Sequence, residues 1–201
     1  MKRFFDIFFS VLGLVVLSPL FAAVALLIKL DGTGPVFFRQ ERVGKNFRPF
    51  LICKFRTMIP GAQERGPLVT VSGDDRITRI GRTLRKYKID ELPQLINVFK
   101  GEMSLVGPRP EVKKYVEIFR SEYGKLLKLP PGITDTASIN YSGEEGVLSQ
   151  SKENWEDMYT KKILPEKLRL SLQYADRPNL ATDIRIILET LLKIFNVRKS
   201  A

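Results

Sequence analysis

The stretch IFFSVLGLVVLSPLFAAVALLI, residues 7–28, decides the architecture, because it contains no charged residue. A run of this length is sufficient for a helix that crosses a bilayer. Lys2 and Arg3 precede the segment, and Lys29 and Arg39 follow it. Positive residues favour the cytoplasmic side of a membrane, so both ends of the segment are predicted to lie on the same side.

The dipeptide Ser18-Pro19 lies near the middle of this segment. Proline removes a backbone donor and kinks a helix, while a serine hydroxyl can satisfy a freed backbone group. A helix–break–helix that enters one leaflet and returns accommodates both the break and the basic flanks. A single kinked span stays open as an alternative. A signal peptide is disfavoured because the apolar run continues to Ile28, and a buried core helix because the run is apolar around its circumference.

The composition excludes several kinds of site. The chain has 33 Lys and Arg against 22 Asp and Glu, a surplus that suits nucleic acid, an acidic membrane surface or a phosphorylated substrate. It has no histidine, which excludes Ser-His-Asp and Cys-His catalysis. A single cysteine, Cys53, excludes an internal disulfide and disfavours zinc. A bound metal would be a hard cation held by oxygen, with Mg²⁺ the first candidate.

Residues 1–30 are predicted to form the membrane helix–break–helix, and residues 31–201 a compact cytoplasmic domain. We expect a mostly helical α/β fold with amphipathic interfacial helices. Basic and apolar residues alternate in FRPFLICKFRTM, residues 47–58, which predicts a half-buried strand. Helical periodicity predicts helices over residues 74–89 and 111–127. A last apolar stripe over residues 180–195 predicts a helix that is either core-facing or interfacial.

The stretch IDELPQLINVF, residues 89–99, places two acids, Asp90 and Glu91, side by side between apolar residues. Adjacent carboxylates repel, and burying them is costly unless a cation meets them. Four apolar residues at helical spacing predict a helix that starts near Pro93: Leu92, Leu95, Ile96 and Phe99. The acids are therefore predicted at a helix N-terminus, where simple capping stays an alternative to a functional site.

A stiff turn follows shortly after the two acids. Pro108 and Pro110 flank Arg109 and restrict its backbone. A guanidinium fixed in this way, soon after a pair of acids, favours a phosphate-binding role, because its planar fork matches phosphate oxygens.

Six ordered motifs carry a resemblance over nearly the whole chain: the Ser-Pro break, KFRTM, ITRIGRTLRK, DELPQL, GEMSLVGPRP and PGIT. The sequence resembles the bacterial sugar transferases, the small monotopic polyprenyl-phosphate phosphoglycosyl transferases. The resemblance implies a re-entrant helix broken at Ser18-Pro19 and a catalytic domain on the cytoplasmic face of the bacterial inner membrane. It implies transfer of a sugar 1-phosphate from a UDP-sugar to polyprenyl (undecaprenyl) phosphate, with release of UMP. Such a reaction is a first membrane step in exopolysaccharide, lipopolysaccharide or other glycoconjugate assembly.

The resemblance also assigns residues. It implies that Asp90 is the nucleophile that forms an aspartyl phosphosugar, and that Glu91, with Asp90, holds Mg²⁺. The residues expected to bind substrate phosphates are Lys54, Arg56, Arg85 and Arg109. The expected partners are the UDP-sugar, polyprenyl phosphate and inner-membrane lipid, without nucleic acid, and a homo-oligomer is compatible with the sequence.

One departure from the family pattern concerns the sugar. Asp135 stands where many relatives have glycine after PGIT, and no Asn-Gly turn follows. We expect altered sugar contacts there, while the role of the loop over residues 141–147 and the identity of the sugar stay open. The alternative functions are a membrane-anchored basic nucleic-acid-binding module and a scaffold without catalysis. The first is disfavoured because aromatic residues do not alternate with the basic clusters.

Overall fold

The computed structural model describes residues 1–62, 73–141 and 155–197, and this part is mostly helical with two small sheets. The helices are α1 (Lys2–Val16), α2 (Ser18–Leu30), α3 (Arg79–Lys86), α4 (Gln94–Lys100), α5 (Lys113–Ile118), α6 (Arg120–Leu126), α7 (Thr136–Asn140), α8 (Trp155–Met158), α9 (Leu164–Asp176) and α10 (Leu180–Val197). The strands are β1 (Phe37–Val43), β2 (Pro49–Phe55), β3 (Ser104–Val106) and β4 (Gly132–Thr134). Short 3₁₀ turns cover Lys45–Phe47 and Ile89–Glu91, and a π-helical turn covers Tyr159–Ile163.

Helices α1 and α2 form a bent pair with an angle of 60° between them. The break has a local cause. The carbonyl of Val15 would accept from the residue four positions on, which is Pro19 and has no N–H. The Ser18 hydroxyl donates to that carbonyl instead, at 2.8 Å. The helix is interrupted at Leu17, directly before the predicted Ser18-Pro19 dipeptide, which forms the first turn of α2. Within the described ranges no single helix is long and apolar enough to cross a membrane, whereas the bent pair passes that test of length and composition.

The first turn of α1 is tied to the rest of the molecule. The Lys2 ammonium forms a salt bridge with Asp183 of α10 and donates to the Tyr174 hydroxyl at 3.1 Å. The carboxylate of Asp6, which is buried, accepts from the Ser104 hydroxyl at 3.0 Å. Since these bonds include a buried acid, they fix the beginning of α1 against β3, α9 and α10.

The end of α2 is held by the same globular body. Val24 and Ile28 of α2 pack in one apolar cluster with Phe55 of β2 and Leu84 of α3. The carboxylate of Asp31 then accepts from the backbone N–H of Ile80 at 2.9 Å. Both ends of the α1–α2 pair therefore contact the domain formed by the later elements.

Strands β1 and β2 form an antiparallel hairpin whose register runs from Phe37 opposite Phe55 to Val43 opposite Pro49. The strand predicted over residues 47–58 is thus confirmed as β2. The edge of β2 is bonded by a side chain of α4. Asn97 accepts from Cys53 N at 2.9 Å and donates to Leu51 O at 2.8 Å, so the amide substitutes for a neighbouring strand.

This contact also sets which face of α4 is buried. Phe99, the last of the four regularly spaced apolar residues, is 50% exposed. The buried residues of α4 are Gln94, Leu95, Asn97 and Val98. Because polar Asn97 must face β2, the helix is rotated away from the orientation that apolar spacing alone predicts.

The predicted helix over residues 111–127 is two helices, α5 and α6, which meet at Phe119. Helix α5 begins later than predicted, because the Glu111 carbonyl accepts a hydrogen bond from Val43 N at 3.0 Å. This bond holds Glu111 beside β1. The apolar residues of both helices still share one core cluster with α9, as expected. In α10 the apolar stripe is largely exposed, with Ile184 at 49% and Leu188 at 55%, which favours the interfacial over the core-facing alternative.

Candidate functional site

Three elements bring one acid and two cations together. Glu91 comes from the 3₁₀ turn before α4, Lys54 from β2 and Arg109 from the turn after β3. The Lys54 ammonium donates to Glu91 Oε1 at 2.8 Å, and the Arg109 guanidinium donates to the same oxygen at 2.7 Å. The cations that the adjacent acids require thus come from positions distant in the sequence.

Glu91 is held as an anion by these contacts. Burial alone would raise the pKa of its carboxyl group, but the positive charges of Arg109 and Lys54 hold that pKa well below its usual range. Burial also lowers the pKa of the Lys54 ammonium, against the opposite effect of Glu91. The three groups form a largely buried ion cluster whose members depend on one another.

Asp90 lies beside this cluster in a different environment. Its side chain is buried, and its Oδ1 atom has no hydrogen-bond partner among the described residues. Burial, together with the charge of Glu91, raises the pKa of the Asp90 carboxyl group to about 6. A buried carboxylate oxygen without a donor is costly, so its presence points to a function rather than to stability.

The sequence predicts the two acids at a helix N-terminus, and in the structure they lie in the 3₁₀ turn directly before α4. Pro93 occupies the N-cap position of α4, and Lys88 precedes the turn in a left-handed conformation, with φ of 55°. Neither acid forms the side-chain bond of a helix cap in the described contacts. Simple capping is therefore not their role.

The two carboxylates are suited to a hard divalent cation. The Oδ1 atom of Asp90 has no hydrogen-bond partner among the described residues, and the bonds from Lys54 and Arg109 both go to Oε1 of Glu91 rather than to Oε2. The described residues hold no group of three or more acidic, cysteine or histidine side chains that would form a metal site by themselves. Mg²⁺ is commonly bound by one or two carboxylates together with substrate phosphates and water. The residues present fit that arrangement.

Backbone packing fixes the turn that carries Arg109. A Cβ atom on Gly107 would lie 2.5 Å from the Pro130 carbonyl oxygen, and one on Gly132 would lie 2.1 Å from Gly107 N. Only glycine allows strands β3 and β4 to approach this closely. Gly132 N also donates to the Pro108 carbonyl at 3.0 Å. The close packing of β3 against β4 therefore fixes the position at which the Arg109 turn begins.

A second polar network, which the sequence analysis missed, supports the same turn. The Arg42 guanidinium donates to the Pro110 carbonyl at 3.3 Å and to the Glu111 carboxylate at 3.4 Å. The Tyr159 hydroxyl donates to Glu111 Oε1 at 2.6 Å. No local signal in the sequence identifies this network, because its members come from β1, the Arg109 turn and the π-helical turn.

The other predicted phosphate-binding residues lie in different places. Arg85, in the last turn of α3, lies close enough to Asp90 for its charge to act on that carboxyl group. Arg56 is buried away from the acids, and its guanidinium donates to the carbonyls of Ile28 at 3.0 Å and Gly32 at 2.8 Å. Because its donors bind the end of α2, our proposed site does not include Arg56.

Asp135 is also internal. Its carboxylate is fully buried and accepts from Ser138 N at 2.7 Å and from the Ser171 hydroxyl at 2.9 Å. It caps α7 and ties that helix to α9, so both oxygens are used within the fold. The expectation that Asp135 alters sugar contacts therefore finds no support in its geometry. The loop over residues 141–147 falls, after Tyr141, outside the described residues.

Comparison with known proteins gives consistent matches. The family model described as "Bacterial sugar transferase" matches residues 1–197. The Aeromonas hydrophila protein named UDP-N-acetylgalactosamine-undecaprenyl-phosphate N-acetylgalactosaminephosphotransferase is 46% identical over 143 residues, which cover 69% of this chain and 33% of that protein. The Komagataeibacter xylinus undecaprenyl-phosphate glucose phosphotransferase is 41% identical over 197 residues, 94% of this chain and 35% of that protein.

A third relative is covered more fully. The Caulobacter vibrioides UDP-glucose:undecaprenyl-phosphate glucose-1-phosphate transferase is 36% identical over 195 residues, 94% of this chain and 68% of that protein. The chain thus spans about a third of the first two relatives and about two thirds of this one. The match to the family model over nearly the entire chain confirms the resemblance seen in the motifs: the chain belongs to the bacterial sugar transferase family.

Proposed function

We propose that this chain transfers a sugar 1-phosphate from a UDP-sugar to polyprenyl phosphate, through a covalent intermediate on Asp90. The observation that carries the proposal is the buried, unbonded Asp90 carboxylate oxygen beside the Glu91–Lys54–Arg109 ion cluster. The three relatives described above are all named as undecaprenyl-phosphate sugar phosphotransferases. Their names include two different sugars, so the sugar is left open here.

In the first step, an Asp90 carboxylate oxygen attacks the phosphorus that bears the sugar. A new bond forms between Asp90 and phosphorus, the bond to the UMP oxygen breaks, and UMP leaves with that electron pair. In the second step, a phosphate oxygen of polyprenyl phosphate attacks the same phosphorus and releases Asp90. The raised pKa of Asp90, about 6, leaves it largely ionised at neutral pH yet more basic than an ordinary carboxylate. No histidine is required.

The cations of the site have separate tasks. Arg109 and Lys54 keep Glu91 ionised, and Lys54 also supplies positive charge beside Asp90. The Arg109 guanidinium can contact phosphate oxygens while it retains its bond to Glu91, because it has five donors. We assign Asp90 and Glu91 as the residues that would hold Mg²⁺. When bound, Mg²⁺ neutralises charge on the diphosphate and on the departing UMP.

We further propose that the α1–α2 pair is re-entrant and that the catalytic domain lies on the cytoplasmic face of the bacterial inner membrane. Two observations support this placement. The start of α1 and the end of α2 both contact the same domain, through Lys2 and through Ile28. Several apolar side chains of the pair are exposed, among them Phe4, Phe8, Val15 and Leu26. A large exposed apolar surface of this kind fits lipid.

UMP release tests the proposed function. Detergent-solubilised protein would be incubated with Mg²⁺ and a panel of UDP-sugars, with and without undecaprenyl phosphate. A transferase releases UMP continuously from one or a few UDP-sugars only when the lipid is present. Continuous release without lipid would indicate a hydrolase instead, and no release with any sugar would favour a scaffold. Chelation of Mg²⁺ with EDTA is expected to abolish the release.

A further inference from the structure

Lys88, which the sequence analysis did not assign to the site, has an unusual backbone conformation. It lies between α3 and the 3₁₀ turn of Asp90 and Glu91, with φ of 55° and ψ of 20°. Outside glycine, positive φ occurs in the described residues only at Lys88 and at the adjacent pair Asn46 and Phe47. Asparagine tolerates this region, but a side chain such as lysine adopts it at a cost that glycine avoids.

The strained residue makes the turn that presents the acids. Lys88 N donates to the Arg85 carbonyl at 3.1 Å, and the Lys88 carbonyl accepts from Glu91 N at 3.2 Å. This turn uses only the backbone atoms of residue 88, and glycine or asparagine would adopt the required positive φ at a lower conformational cost. The choice of lysine therefore points to its side chain, since backbone strain is commonly retained where it serves a function.

The Lys88 side chain also differs from the other cations near the acids. Lys54 and Arg109 both bind Glu91 directly. The Lys88 side chain is exposed, and its ammonium forms no hydrogen bond or salt bridge within the described part of the chain, although its charge acts on both Asp90 and Glu91. An ammonium group that is near a reaction centre and not engaged by protein is available to an anion that enters it.

We propose that Lys88 is a phosphate-binding residue of this site, held beside the two acids by its left-handed backbone. The inference rests on the proposed function, because the phosphate it binds is one that reaches Asp90. Two sources supply that chemistry: the diphosphate of the UDP-sugar in the first step and the phosphate of the polyprenyl acceptor in the second. The two steps can be measured separately.

The test uses the full chain in detergent with three variants: Lys88→Gly, Lys88→Arg and, as a control, Lys128→Gln at an exposed lysine after α6. The first arm measures the rate of phosphosugar attachment against the concentration of the UDP-sugar that the wild type turns over, without lipid. The second arm measures the loss of preformed adduct against the concentration of undecaprenyl phosphate. Thermal unfolding of each variant is recorded alongside.

We expect Lys88→Gly to raise the half-saturating concentration in one arm by about tenfold, the loss of one charge-assisted contact. Its melting temperature should not fall, because glycine adopts this backbone without strain. Lys88→Arg should restore most of the affinity, and Lys128→Gln should match wild type. The arm that changes identifies the donor or the lipid as the source of the phosphate.

Unchanged half-saturation in both arms would overturn the inference. A defect that follows a lower melting temperature and is not rescued by Lys88→Arg would overturn it as well, because Lys88 would then be structural. If the wild type itself forms no adduct, the proposed function fails, which is a separate result from a failure of Lys88 alone.

Discussion

Asp90 and Glu91 are neighbours in the chain, but their carboxylates have opposite surroundings. Glu91 is bonded by two cations, which hold its pKa well below the usual range against the effect of burial. Asp90 is buried without a partner for Oδ1, and its pKa is raised to about 6. One residue therefore stabilises the site, whereas the other costs stability and is free to react.

This difference predicts that Asp90→Asn makes the metal-free protein more stable. Because the pKa of Asp90 is 3.8 in the unfolded chain and about 6 in the fold, its ionised form costs stability. The cost is absent below pH 3.8, grows as the pH rises and is full above about pH 6, where it is on the order of 3 kcal/mol. Urea unfolding in EDTA should show a gain for Asp90→Asn above pH 6 that shrinks as the pH falls.

Glu91→Gln is the matched control for that prediction. It removes the anion that Lys54 and Arg109 share, so both of these partly buried cations lose that salt bridge. Its stability should fall under the same conditions, because removing one member of a largely buried ion pair is destabilising. If both amide variants shift stability in the same direction, the opposite roles assigned to the two acids are wrong.

At the scale of the elements, sequence periodicity located β2 and α3, and the proline located the interruption between α1 and α2, because each of these features has a local cause. The orientation of α4 was not predictable in this way, since Asn97 bonds a strand more than 40 residues earlier, at Leu51 and Cys53. The two acids were found from the sequence as well. The two cations that bind Glu91, Lys54 and Arg109, lie 37 and 18 positions away from it in the sequence, and only the folded chain brings the three groups together.

Arg56 shows the same limit, because its position in KFRTM suggested phosphate binding while the fold uses it to fix α2. Arg56→Lys keeps the charge but cannot reproduce bonds to several carbonyls at once. We expect a loss of stability on the order of 1–3 kcal/mol, since hydrogen bonds to charged groups are among the stronger ones. The half-saturating UDP-sugar concentration of the folded protein should stay near that of wild type. A raised half-saturating concentration without a loss of stability would return Arg56 to the phosphate site.

At the scale of the whole molecule, the fold joins the apolar α1–α2 pair to the candidate site through shared elements. Lys2 of α1 reaches Asp183 of α10, and α1 packs along α4, which directly follows the two acids. The apolar pair and the two acids are thus held in one body. This arrangement suits a reaction between a soluble nucleotide sugar and an acceptor whose tail lies in the bilayer.

The proposed topology predicts that both ends of the α1–α2 pair face the cytoplasm. Single cysteines would be introduced in a short N-terminal extension and, separately, at the exposed Lys45, in a Cys53→Ser background. An impermeant thiol reagent should label neither position in intact cells and both positions after the membrane is opened. Labelling of the N-terminal cysteine alone in intact cells would show that the pair crosses the bilayer.

The central claim is that Asp90 forms a covalent bond to the phosphosugar, and intact-mass measurement tests it most directly. Wild type, Asp90→Asn and Glu91→Gln would each be incubated with Mg²⁺ and the UDP-sugar that supports turnover, without lipid acceptor. We predict that wild type gains the mass of one sugar phosphate, which undecaprenyl phosphate then removes. The Asp90→Asn protein should gain nothing at any Mg²⁺ concentration, whereas Glu91→Gln should form the adduct slowly and improve as Mg²⁺ is raised. A sugar phosphate adduct on the Asp90→Asn protein would contradict the assignment of Asp90 as the nucleophile.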